Sequence, residues 1–362
     1  MAPRQIFSAT ALLLALPFFG CGGGGSGRGT ATGGGSGSGT TNMYMAGDTT
    51  NASGTYIATS WKNGTATNFT DGTSDADAYA VAVDSSGNVY VAGDTSNASG
   101  TYIATVWKNG TATNLTDGTT NADGNAIAVD SSGNVYVAGY TTSASGKYTA
   151  TVWKNGTATN LTDGTSDADA YGIAVDSSGN VYVVGDTTNT SGTYIATVWK
   201  NGTATNLTDG TNNADAYAIV VDSSGNINVA GDTSNASGNY IASYWKNGTA
   251  TNLTAGTSNA YAYAIAVDSS GKVYVAGDTT NASGNSIATY WKNGAAVNLT
   301  DGTSYADANA IAVDSSGNVY VAGDTTSASN YSTATYWKND TATNLTNGMS
   351  NASVFGMTLS TK

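Results

Sequence analysis

From residue 41 onward the chain consists of short apolar runs separated by turn residues. Within Ala78–Asp123, AYAVAVD (Ala78–Asp84) alternates small and branched side chains and predicts a strand. DSSG (Asp84–Gly87) predicts a tight turn. NVYVAG (Asn88–Gly93) predicts a second strand, DTSNASG (Asp94–Gly100) a polar loop, and TYIATVW (Thr101–Trp107) a third strand. The Asn-Gly of the following KNGT accepts positive φ at both positions and predicts a two-residue hairpin. TATNLT (Thr111–Thr116) is a fourth, more polar strand, and DGTTNAD (Asp117–Asp123) leads into the next unit. Nothing here has a 3.6-residue apolar period, and the repeats contain neither Pro nor Glu, so helix is not expected.

The pattern recurs with a spacing of 46 residues, marked by Trp61, Trp107, Trp153, Trp199, Trp245, Trp291 and Trp337. Seven units of 46 residues fill the chain from residue 41 to residue 362. One unit cannot bury both faces of its small sheet, whereas seven stacked radially can, leaving short protected edges. The ends point to a closed ring. VFGMTLS (Val354–Ser360) aligns with the first strand of a unit, and NMYMAG (Asn42–Gly47) aligns with the second. One blade would therefore combine both termini. The predicted fold is an all-β, seven-bladed β-propeller with four antiparallel strands per blade, closed by pairing of the N- and C-terminal strands.

The run VDSSGNVYVAGDT, with copies starting at Asp84, Asp130, Asp176, Asp222, Asp268 and Asp314, resembles the β-propeller repeat of bacterial secreted proteins (SBBP-type) and, more distantly, the NHL repeat. The resemblance covers residues 41–362 and implies that the first strand lies innermost. It implies no particular activity, since propellers host many functions.

Residues 1–40 read differently. Arg4 precedes a mostly apolar run, Ile6–Phe19, that is too short to span a bilayer comfortably. Phe18-Phe19-Gly20-Cys21 resembles the lipobox of bacterial lipoproteins, with Phe18 where that family usually has Leu. The resemblance implies a signal peptide over residues 1–20 and lipidation of Cys21, the sole cysteine. Residues 21–40, nearly all Gly, Ser and Thr after the cysteine, form a flexible tether. Gly22 is not the Asp linked in that family to inner-membrane retention, so an outer-membrane or cell-surface position is expected. The membrane would be touched through the lipid alone.

Charge then separates the two faces of the ring. The hairpins DSSG and KNGT fall on one face and the longer loops on the other. The loop face receives Asp48, Asp94, Asp186, Asp232, Asp278 and Asp324, then Asp71, Asp117, Asp163, Asp209 and Asp301. Asp75, Asp77, Asp123, Asp167, Asp169, Asp215 and Asp307 follow, against Lys147 as the one cation. The first eleven form the candidate binding face. Such a field repels nucleic acid. The pairs Asp75/Asp77 and Asp167/Asp169 are the candidates for calcium. Turn capping and solubility account for these aspartates without an ion, so no cofactor is expected. The seven tryptophans are assigned to packing between blades rather than to a carbohydrate platform.

Without His or Glu, and with its cysteine in the leader, the chain offers no Cys/His metal site and no thiol nucleophile. Near-identical units repeat the same surroundings instead of gathering one distinctive constellation. No enzyme is expected. The leading expectation is a monomeric, non-catalytic, multivalent module for a glycan or protein ligand, using avidity over equivalent sites. The alternative is a passive scaffold at the cell surface, with an enzyme a distant third. The loop tips SGTY, SGKY, SGNY, SGNS and SNYS vary most and are where recognition would be sought.

Overall fold

The computed structural model describes residues 9–10 and 41–361. The signal peptide, tether and Cys21 expected over residues 1–40 lie outside the described residues, apart from Ala9–Thr10, which pairs in parallel with Gly172 and Ile173. From residue 41 the strands assort into seven sheets, each with four strands from the repeats in antiparallel order. In the sheet of Ala76–Val83 the order is first, second (Val89–Ser96), third (Tyr102–Lys108) and outer (Thr111–Asn114). The first strands of neighbouring blades touch one another and line the centre of the ring. Burial falls outward: the first strands are almost wholly buried, whereas Thr111–Asn114 and five of its equivalents are exposed throughout. Blades are numbered here from the one containing both termini.

That closing blade places the C-terminal strand Ala352–Thr361 against Thr41–Thr50, with Thr41 opposite Thr361 and Thr49 opposite Ala352 on either side of a register shift at Ala46/Gly47. Tyr56–Lys62 and Thr65–Asn68 complete the sheet. The hairpins obey the turn chemistry of their residues. Asn109 and Gly110 take φ values of 49° and 86°, the type I′ geometry that matches strand twist. The Asn109 side chain fastens this turn by accepting from the Val89 amide at 2.9 Å.

All seven tryptophans lie between blades and are at most 1% exposed. Trp107, on the third strand of its blade, packs among Tyr44, Ala46 and Ala58 of the preceding blade. Its ring stacks on Phe69 at 5.5 Å. Small alanines opposite each indole let the sheets approach closely, and removing such a side chain from a packed core costs about 3–5 kcal/mol.

The second strand is longer than the pattern predicts. It runs to Ser96 instead of stopping at Gly93, because Asp94 pairs with Asp77 on one side and Ala104 on the other. The first strand likewise begins at Ala76, two residues earlier than expected. A bulge between Ala78 and Ala80 leaves Tyr79 out of register. The bulged strand passes so close to Gly93 that a Cβ there would overlap the carbonyl of Asp77. Glycine is required by this approach of backbones. The same bulge recurs in every blade and sets the geometry of the loop face.

Candidate functional site

The loop face is built from three tiers of side chains. The outermost are turn caps. Asp117 Oδ1 accepts from the amide and the hydroxyl of Thr119, at 3.0 and 2.7 Å. Asp71, Asp163, Asp209 and Asp301 repeat this motif. The Thr119 hydroxyl and amide hold the Asp117 carboxyl below its ordinary range. These five aspartates are exposed and serve their own turns.

The second tier ties each blade to the next unit. Asp75 Oδ1 accepts from the Tyr56 amide, and Asp167 Oδ1 accepts from the Tyr148 amide, both at 3.0 Å. Asn121, Asn213, Asn259 and Asn351 do the same elsewhere. Lys147 Nζ adds an ion pair to Asp167 at 2.8 Å, and its ammonium holds that carboxyl low.

The third tier is buried. The sequence pattern puts Asp48, Asp94, Asp186, Asp232 and Asp278 on a surface loop. The structure instead places them in the second strands, at most 4% exposed, with Asp324 half-buried. The displacement follows from the extra ladder pairs beyond the Gly that recurs in each second strand, such as Asp77 opposite Asp94 and Asp169 opposite Asp186. Several of these carboxyls reach the first strand of the following blade, bringing Asp48 to Asp77, Asp186 to Asp215 and Asp278 to Asp307. In blade 3 the pair is inverted: Asp123 is on the first strand, and Tyr140 donates to its Oδ2 at 2.7 Å. Burial, reinforced by neighbouring carboxylates, drives Asp48, Asp186 and Asp278 well above the usual carboxyl range. Burial and the charge of Asp307 push Asp324 up to about 7.

The bulged residues close the centre of this tier. Tyr79, Tyr171, Tyr217, Tyr263 and Phe355 occupy five blades, and Asn125 and Asn309 the other two. Tyr171 and Tyr217 approach at 5.6 Å, Tyr217 and Tyr263 at 5.9 Å, and Tyr79 and Phe355 at 5.9 Å. Tyr79 donates to Asp94 Oδ2 at 2.6 Å. Asn125 and Asn309 instead donate to the carbonyls of Ala170 and Val354. This ring is not singled out by the sequence pattern. Its signal is a large side chain inside an alanine-rich strand, as in the AYA of Ala78–Ala80.

Within this nearly repetitive mouth a cavity of about 610 Å³ opens between blades 3 and 5. Lys147, Tyr148, Asp167 and Tyr194 form its rim. Asp169, Tyr171, Asp186, Asp215 and Tyr217 line it further in. The calcium candidates divide between tiers: Asp75 and Asp167 are linker caps, whereas Asp77 and Asp169 belong to the first strands. Among the described residues no three carboxylates assemble into a metal-binding group.

The hairpin face is a repeated Asp–Tyr–Lys stack. Asp84 Oδ1 accepts from the amides of Ser86 and Asn88, and its Oδ2 accepts from Tyr90 at 3.2 Å. Partial burial raises that carboxyl, but these donors together with the Asn88 side chain outweigh it and hold it low. Lys108 Nζ lies 5.1 Å from the Tyr90 ring centre, and five other blades repeat the contact. Asn228 replaces the tyrosine in blade 5.

Seven radial four-stranded sheets around a tyrosine-lined centre define a seven-bladed β-propeller. The SBBP β-propeller repeat matches residues 67–100, 115–147, 161–192 and 300–331, so these four stretches carry that repeat. Among solved structures, a puromycin-hydrolyzing peptidase of Mycobacterium tuberculosis superposes with a TM-score of 0.57 at 10% identity over 85% of this chain. This chain spans 52% of that peptidase. A protein of unknown function from Dyadobacter fermentans gives a TM-score of 0.50 at 10% identity, over 79% of this chain and 95% of the other. A fucose lectin from Kordia zhangzhouensis gives 0.29 at 19% identity, over 35% of this chain and 94% of the lectin. At these identities the likeness to the peptidase and to the Dyadobacter protein is one of fold. No curated protein matches the sequence.

Proposed function

We propose that this propeller is a non-catalytic binding module, carried on the outer surface of a bacterium by a lipid on Cys21. Its ligand, a glycan or a protein, would enter at the loop-face mouth. The observation that carries this reading is the cavity between blades 3 and 5, where tyrosine rings and carboxyls converge in one recess of an otherwise repetitive ring. Aromatic faces suit the apolar faces of sugar rings or side chains, and carboxyl oxygens suit their donors. A glycan-array screen of the purified protein, with calcium and with a chelator, tests the glycan arm. Reproducible binding that is lost with Tyr194→Ala supports it. Blank arrays in both conditions would leave a protein ligand or a passive scaffold. The anchor is tested by Cys21→Ser, which is expected to move the protein from the membrane fraction to the medium. Retention of that variant on membranes would refute lipid attachment.

A further inference from the structure

We propose that the cavity between blades 3 and 5 takes a primary ammonium group, presented by an amino sugar or by a lysine side chain. The inference rests on the mouth being the ligand-binding face. Asp186 lines the cavity and is 1% exposed; its carboxyl meets Asp215 and Tyr171, and its Oδ1 is left buried with no hydrogen-bond partner. A carboxylate oxygen accepts hydrogen bonds, and a buried one without a donor is costly. An ammonium group is the matching occupant, with three donors, no acceptor and a compensating charge. Tyr171 and Tyr217 flank the recess with rings 5.6 Å apart, and such rings attract organic cations.

The chain uses both contacts elsewhere. Lys147 Nζ is already held by Asp167 at the cavity rim, at 2.8 Å. On the opposite face, six lysine ammoniums lie 5.1–5.5 Å from tyrosine ring centres. A metal ion is a poorer match, because among the described residues the carboxylates do not converge in threes. An anionic ligand would meet four carboxyl groups against Lys147 alone. Asp169, Asp215, Asp167 and Lys147 are the charged groups that face Asp186 across the recess. Burial favours a retained proton on Asp186 and on Asp215, so an entering ammonium would displace it to solvent.

Calorimetric titration of the full purified chain tests this with chitosan tetrasaccharide, its fully N-acetylated counterpart, and Nα-acetyl-lysine methylamide. At least one amine probe is expected to bind, and the N-acetylated sugar at least tenfold more weakly. Asp186→Asn is expected to weaken binding at least tenfold. Tyr194→Ala, at an exposed rim position that does not endanger the fold, is expected to weaken it about threefold to tenfold. Asp340→Asn, in the hairpin between Ser332–Lys338 and Thr341–Asn344 on the opposite face, is expected to leave affinity unchanged. Binding of the sugar amine but not the lysine probe assigns a glycan source, and the reverse assigns a protein. Equal binding of the acetylated sugar, or unchanged affinity in both Asp186→Asn and Tyr194→Ala, overturns the ammonium site. If neutral glycans bind on the array while both amines fail, the binding-module reading stands and this inference falls. Silence of every probe in both experiments removes both.

Discussion

A chain cut after Asn351 will fail to form a monomeric ring. The missing strand, Ala352–Thr361, pairs with Thr41–Thr50 along its length and supplies the innermost strand of the closing blade. It also buries Val354 and Met357 to 2% exposure or less, against Ala310, Ala312 and Tyr320 of the neighbouring blade. Burying one such side chain is worth about 1.5–3 kcal/mol, and the whole domain retains only about 5–15 kcal/mol. Without the strand, Thr41–Thr50 becomes an unpaired edge, open to a second copy of the chain. The expected outcome is aggregation or a strand-exchanged oligomer on size-exclusion chromatography. Loss of a single cooperative melting transition should accompany it. Adding a synthetic peptide of residues 352–362 should restore part of the monomer. A truncated monomer melting within a few degrees of the full chain would show that the ring does not depend on its latch.

The second large effect is on stability against pH. Asp48, Asp77, Asp186, Asp215, Asp232, Asp278 and Asp324 all have folded-state pKa values above the ordinary 3.8, with burial the leading cause. The folded ring therefore keeps protons that the unfolded chain has released. Stability from these groups is fully present below about pH 3.8 and is lost as pH rises toward their folded values, near 7 for Asp324. The turn aspartates, typified by Asp117 and Asp84, act oppositely: their contribution is present above 3.8 and is lost on further acidification. They are exposed or only slightly buried, so solvent screens them and the buried groups dominate. The melting temperature is expected to peak near pH 4–5 and to fall by several degrees by pH 8. Relief of net negative charge on acidification acts in the same direction. The triple variant Asp186→Asn, Asp232→Asn, Asp278→Asn separates the two. It should flatten the slope and melt higher than the parent at pH 7.5. A parent profile that is level or rising between pH 5 and 8 would mean that these carboxyls are ionised in the fold.

The architecture was readable from residue types alone because its determinants are local or periodic. Asn-Gly dictates the hairpin at Asn109–Gly110 through allowed φ, and alternation over Val89–Val91 dictates a strand. The unit of 46 residues counts the blades, and the offset between Asn42 and Val354 reveals how the ring closes.

The candidate site was not readable in the same way. Asp94 lies after a glycine in a polar run and has the composition of a loop residue. It is buried because the bulge at Tyr79 and the glycine at position 93 let two strands continue together past it. Asp71 and Asp94 look equivalent in the sequence, yet one caps an exposed turn and the other sits at a blade boundary. Sequence by itself determined the order of the strands, the repeat number and the closure, since these follow from local conformational preference and counting. Tertiary structure alone decided which carboxyls face water and which share a buried boundary with the next blade. Contacts between residues about 30 positions apart, such as Asp48 with Asp77 or Asp186 with Asp215, exist only after the sheets have stacked.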